Sequence, residues 1–550
     1  MAAGVGLLPG IAQAAPAAPG GPGAAQPDLG PLEAGAPENE SVRSSADRTV
    51  VTPLAGAGSR VAGAQGKLSA ASPTVELGAT ATYPHQVALS VLATSEDAEL
   101  DITVDWGDVT KTEGQGPARH GSKRWDFPHR YALGSYTIKV TVKDTTHGVQ
   151  AVNEVKFTTA GTEFTPHAPT RLLDTRAGVG AKKAKVAGRS SVALKVAGAA
   201  QVPAGVRAVV LNVTVTSTTG PGHISVQSDK GLAETVQTSN VNYLAGQSVP
   251  NLVIANVGKD GFVHLFNGGW ESVDLLADVT GYFTASEASG YTALNPTRVL
   301  DTRDVPGGGK IQGYDTLDVA IAGVGRVPKG ATAVALNLTV TKPLQSGHLT
   351  AYPTGQEAPA TSSVNFAAEQ TVANSVIVPV GAEGKITLRN GSWMGTDVII
   401  DVVGYYSADS QAAYVPASAP YRALDTRKDK WWGDKKSGPV PARSYLPVHL
   451  PPGEDLYPVV GWVLNATVTN TTEVGFLSVA ADHNAWENYQ HGNATAPPRP
   501  VSSALNWTAG ATVPNLVQTT IGQGMIVDFW NQGWKSVDMI VDVQGKYQLG

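Results

Sequence analysis

The sequence predicts an all-β, multidomain protein built of tandem antiparallel β-sandwiches behind a disordered leader. Three observations carry that expectation. Glycine (61) and proline (36) are abundant while charged residues make only 16% of 550, a balance that suits turn-rich sheets better than long helices. Short runs alternate between apolar and polar residues, the period of a half-buried strand. A unit of about 120 residues recurs three times, long enough for each copy to bury its own core.

The elements follow in order. Residues 4–14 are apolar and end in Ala12-Gln13-Ala14, a small-x-small cleavage pattern that reads as the second half of a secretion signal lacking its basic start. The remainder of 1–72 is rich in Ala, Gly and Pro with no lasting period, and is expected to be a disordered leader. Over residues 73–160 the pattern changes. Ile102, Val104 and Trp106 share one face of an alternating run and Asp101, Thr103 and Asp105 the other, and residues 136–142 alternate in the same way. That predicts a small sandwich.

The repeats occupy 166–284, 292–407 and 416–550. Each opens on one phrase: Arg171-Leu172-Leu173-Asp174-Thr175-Arg176, Arg298-Val299-Leu300-Asp301-Thr302-Arg303, Arg422-Ala423-Leu424-Asp425-Thr426-Arg427. A strand with Asn212, Asn337 or Asn465 follows, then a Ser-x-x-Asn-aromatic segment, then Asn251, Asn374 or Asn515. Next come the turns 267–270, 390–393 and 531–534, each ending in tryptophan, and each copy closes on Asp278, Asp401 or Asp542 followed by Val. We expect seven to nine strands per unit, folded as three separate domains; copies sharing one axis, as in a trefoil or propeller, are the second reading. The third copy departs most, with two insertions and Lys546 where Tyr282 and Tyr405 stand.

Two resemblances add to this. Trp106-Gly107-Asp108, His129-Arg130-Tyr131, Gly134-Ser135-Tyr136 and Val140-Thr141-Val142-Lys143-Asp144 resemble, in order, the punctuation of PKD domains, which implies an Ig-like fold and a spacer or adhesion role over about 88 residues. Val109 replaces the last glycine of that family's WGDG turn. The triplicated unit, with its LDTR opening, central LNVT and terminal DVxGYF, resembles a module of secreted proteins of high-GC Gram-positive bacteria. That resemblance implies an accessory extracellular module rather than an enzyme; the jelly-roll-like form of each sandwich is the expectation of the strand and turn pattern itself.

Charged residues kept in all three copies suggest a structural network, because an arginine can hold a carboxylate through two parallel hydrogen bonds. It comprises Arg171, Asp174, Arg176 and Asp278; Arg298, Asp301, Arg303 and Asp401; and Arg422, Asp425, Arg427 and Asp542. The competing reading is a catalytic carboxylate pair or a calcium site. Asn212 either donates to a ligand or bridges backbone groups. Trp270, Trp393 and Trp534 are candidate sugar platforms, or else rings folded under their own turns. The third unit's insertions crowd Trp431 and Trp432 among charges, and Trp486, Asn488 and Tyr489 in another loop, and these are the leading candidates for a specific ligand site. They alternatively pack against a neighbour.

No cysteine is present, which excludes a disulfide framework and thiolate chemistry. No metal or cofactor is expected, nor a nucleic-acid partner, since net charge is −6 without a long basic run. No apolar stretch reaches about 18 residues, so no membrane span is expected. The expected function is non-catalytic: an extracellular or cell-wall-associated protein that binds polysaccharide or cell-wall glycan, with three repeats supplying avidity. A structural subunit or adhesin with extracellular protein partners is the alternative, and a hydrolase the third. No hydrolase, P-loop or dinucleotide motif occurs.

Overall fold

The computed structural model describes residues 41–54, 73–231, 238–304, 309–428, 438–451 and 458–550. They form four two-sheet β-sandwiches. In the first, a sheet of Ser41–Ser44, Thr74–Tyr83, Gln86–Thr94 and Ser122–Arg130 faces one of Val50–Pro53, Val149–Thr158, Ser135–Asp144, Glu99–Asp105 and Lys111–Pro117. The leader expected over 1–72 is thus corrected at its end: residues 41–44 and 50–53 pair as edge strands with Thr74–Tyr83 and Val149–Thr158. Edge strands need few apolar residues of their own, because the ladder partner supplies their hydrogen bonds. Trp106 is fully buried, donates to Thr112 Oγ1 at 2.9 Å and stacks on His129. Val109 holds φ 70° in the turn beyond it, a left-handed conformation awkward for a β-branched residue.

Among the described residues each repeat shows eight strands. In the first, the inner sheet runs Glu163–Asp174, Asp274–Thr284, Val206–Thr216, Val249–Asn256, and the outer sheet Ser190–Lys195, Phe262–Asn267, Gly222–Gln227, Val241–Tyr243. The second and third repeat this order. Val209, Leu211, Val213 and Val215 point into the unit's own core. Their alternates Ala208 and Val210 are equally buried, in a different cluster that gathers residues from all three repeats. The inner sheet is therefore apolar on both faces, the pattern of a sheet covered on both sides.

The shared cluster shows that the two readings of the repeats are both realised: each unit closes its own core, and the three also surround one axis. At the axis six rings meet, two from each repeat: Phe164 and Phe283, Tyr291 and Tyr406, Tyr414 and Tyr547. The closing motif's glycine makes room for them, since a Cβ on Gly281, Gly404 or Gly545 would collide with Phe164, Tyr291 or Tyr414 respectively. Backbone bonds complete the circle. Phe164 N donates to Ser289 O, Tyr291 N to Ala412 O and Tyr414 N to Thr162 O, at 2.8–2.9 Å. The third repeat thereby returns to the start of the first, so the same head-to-tail contact is used three times and closes.

Candidate functional site

The repeated charged residues lie at the seams between units. Arg171 donates from Nε and Nη2 to the two oxygens of Asp278 at 2.8 and 3.0 Å, Arg298 to Asp401 at 2.9 and 3.2 Å, and Arg422 to Asp542 at 2.9 and 3.3 Å. The three aspartates are buried. Burial raises the pKa of each, to about 6 for Asp542, while the arginine works to hold it down. The second arginine of the phrase grips the nearer aspartate: Arg176 Asp174, Arg303 Asp301 and Arg427 Asp425, at 2.6–3.0 Å. Arg171 also reaches Ala360 O in the second repeat, and Arg298 Val501 O in the third.

The strand asparagines cross the same seams. Asn212 Nδ2 donates to Ser362 O, Asn337 Nδ2 to Ser503 O, and Asn465 Nδ2 to Ser239 O at 2.6 Å, so each repeat holds the next and the third holds the first. Asn374 Nδ2 lies 3.3 Å from Asn212 Oδ1 and Asn515 Nδ2 3.3 Å from Asn337 Oδ1. The backbone groups these asparagines serve belong to a neighbouring repeat, which no reading of one repeat's strand could supply.

The turn tryptophans are placed differently. Trp270, Trp393 and Trp534 are 82%, 76% and 71% exposed, although large rings are ordinarily tucked away. Their turns are held by a fully buried asparagine. Asn267 Nδ2 donates to Val186 O, Ala187 O and Glu271 O and its Oδ1 accepts from Gly269 N; Asn390 and Asn531 make the corresponding four bonds. The rings project from a satisfied, anchored turn. Beside each stands a residue the sequence reading passed over. Arg189 lies over Trp270 at 5.8 Å, Arg443 over Trp534 at 4.9 Å, and Tyr314 meets Trp393 edge-on at 4.9 Å. All three hold left-handed backbone, with φ 57°, 55° and 61°. The signal was the shared Arg-Ser step, Arg189-Ser190 and Arg443-Ser444, opening the same strand.

Of the third unit's insertions, Trp431 and Trp432 lie outside the described residues. Trp486 and Tyr489 are half-buried. Trp486 stacks on His449 at 4.5 Å, and the Tyr489 hydroxyl donates to Asp482. Asn488 joins the same short helix, Trp486–Gln490, its backbone donating to Ala485 O and accepting from Asn493. The physical reason is beneath them: the Ile526–Asn531 strand carries Asp528 and Trp530 away from the core, and these need cover. Asp528 is 0% exposed and its oxygens meet no protein donor. Burial, then the charge of Asp482, pushes it up to about 9, so at neutral pH Asp528 keeps its proton. Asp482 also accepts from Asn484 N and Nδ2 at 2.6 and 2.7 Å.

Among the described residues no cluster of three His, Asp or Glu is arranged to hold a metal, and no helix is long and apolar enough to cross a membrane. No family model matches the chain, and no curated protein matches it. Among solved structures the chain is similar to the "SusE-like protein BT2857", at 9% identity and a TM-score of 0.11, over 37% of this chain and 96% of that one.

Proposed function

We propose that the chain is a secreted, non-catalytic glycan-binding protein of the cell surface or wall, in which a PKD-like sandwich serves as spacer and a closed ring of three repeats presents one aromatic platform each. The observation that carries the reading is the exposure of Trp270, Trp393 and Trp534 on equivalent anchored turns. An indole face offers a sugar's apolar side a flat partner, and three weak sites held in fixed mutual geometry raise avidity on a polymer. The non-catalytic part is supported by the repeated carboxylates: Asp278, Asp401 and Asp542 are buried, and an arginine engages both oxygens of each.

The test is sedimentation of the protein with insoluble chitin, cellulose, starch and peptidoglycan. Retention on one polymer is expected, falling by about 10²-fold or more in the variant with Trp270, Trp393 and Trp534 all changed to Ala. Retention undiminished in that variant removes the turns from the binding surface. Absence of retention on every polymer overturns the glycan reading and leaves that of an assembly subunit with protein partners.

A further inference from the structure

The three tryptophan turns are alike in backbone and unlike in charge. After the tryptophan stand Glu271, Met394 and Lys535. The first turn carries Arg189, whose Nη1 donates to Gly268 O, and Glu271 in sequence after the tryptophan; the second has Tyr314 and Met394 in the corresponding places. In the third, Arg443 lies over Trp534 and ties its Nη1 to Gln532 O at 2.8 Å. The third repeat's own insertion brings a second arginine to the same place: Gln532 Nε2 donates to Pro500 O at 3.1 Å, which pins that segment along the turn, and the neighbouring Arg499 donates from Nη2 to Arg443 O. Arg499 also covers Trp530 at 5.5 Å, itself stacked on Tyr445 at 4.6 Å. Among the described residues neither Arg443 nor Arg499 is in an ion pair with a carboxylate; Glu473 lies 3.8 Å from Lys535, and Asp482 and Asp528 act on Tyr445 behind Trp530.

Arg499's guanidinium is held on the backbone carbonyl of Arg443, whose own guanidinium lies over Trp534, and among the described residues neither is paired with a counter-charge. Burial and then the charge of Arg443 disfavour the charged form of Arg499. The charge cost is offset when an oxyanion binds the two side chains, because guanidinium–oxyanion hydrogen bonds are roughly twice as strong as neutral ones. The chain as a whole carries net charge −6, so this basic spot stands out against its surroundings.

We propose that the turn of the third repeat is an anion subsite, with Arg443 and Arg499 taking a carboxylate or phosphodiester borne by a polysaccharide whose sugar ring stacks on Trp534, while the first two turns take uncharged sugar. The inference rests on the glycan reading above and assigns its ligand a charge. It makes the three repeats unequal: two positions for the neutral stretch of a polymer and one that reads its acidic group.

The full chain is run through native gels containing polygalacturonate, poly(glycerol phosphate) or neutral hydroxyethylcellulose, and its binding of single-stranded oligothymidylate is measured beside them, at low and high salt. The expected result is retardation by an anionic polymer, weakened at high salt as charges are screened. Arg443→Gln with Arg499→Gln should weaken it about tenfold or more. Arg189→Gln should change it little, and Arg443→Lys with Arg499→Lys, which keeps the charge and guards against a disturbed turn, should keep a measurable part of it. Which of the two polymers acts decides between carboxylate and phosphodiester. Equal retardation of the wild type and the glutamine variant by the anionic polymers overturns the inference, as does preferred binding of oligothymidylate. Retardation by the neutral polymer alone overturns it while sparing the glycan reading, and binding to no polysaccharide overturns both.

Discussion

The seams and the turns of this ring use repetition in opposite ways. At the seams, the same residue types meet the same partners three times: Arg171, Arg298 and Arg422 on their aspartates, and Asn212, Asn337 and Asn465 on the next unit's serine carbonyl. The aspartates and asparagines there are buried and the arginines are paired, and the invariance reflects one geometric demand, closure of a head-to-tail ring. At the turns, the buried asparagine and the exposed tryptophan are constant while their neighbours change from Arg to Tyr to Arg and from Glu to Met to Lys. A constant scaffold with variable surroundings is what separates a presented surface from an internal joint.

The most severe way to break the comparison is at a seam. Asp401→Ala takes from Arg298 its two-oxygen partner and leaves a guanidinium 29% exposed, with Asp301 at 3.5 Å and Val501 O still beside it. Breaking a buried pair from one side costs about 3–5 kcal/mol, and the low end of that range is expected here, still a large share of a domain's stability. Thermal unfolding should show the ring melting far earlier than the wild type, whereas any one tryptophan variant leaves it in place. Unchanged melting in Asp401→Ala would mean the seams are not what holds the units together.

How much of this was legible follows the same division. The strand pattern, the three units and the pairing of LDTR arginines with aspartates are local or pairwise demands that leave residue types behind in sequence. Val210 shows where legibility stops. It sits in a run, Val209-Val210-Leu211, whose apolar alternate positions imply a second buried face, yet nothing in the run says that the other repeats cover it. Glycines 281, 404 and 545 were visible as a motif, but their reason, a ring from the strand's other neighbour lying across them, exists only in three dimensions. The half-buried placing of Trp486 was not legible, because composition reports that an aromatic is available and says nothing of which way it faces. Arg443 and Arg499 are 56 residues apart and meet only because an insertion folds back along the turn.

An intermediate effect tests whether the third unit's outer sheet behaves like a seam. Asp528 has a folded pKa of about 9 against about 3.9 unfolded. Between those values the unfolded chain has released a proton that the folded one keeps, so stability falls as pH rises from about 4 toward 9 and levels off above, by up to 1.4 kcal/mol per pH unit for one whole proton. Asp528→Asn keeps the shape and cannot ionise. The variant should melt higher than wild type at pH 8, by the equivalent of about 1 kcal/mol or more, with the difference shrinking toward pH 4–5. A difference that grows on acidification would place the proton elsewhere.

The smallest expected change in stability is at the turns, and its smallness is what gives it force. Trp393→Ala removes a ring that is 76% exposed and meets Tyr314 only edge-on. Little apolar area returns to water, and surface substitutions of this kind fall within about 0.5 kcal/mol. The asparagine beneath keeps its four bonds to the turn backbone without the indole. Melting should therefore match the wild type, and a residue that folding does not need is being kept exposed for something else. If the variant instead melts well below wild type, the ring is holding its own turn together; the contrast between joint and presented surface then collapses, and with it the case that the three tryptophans are there to meet a ligand.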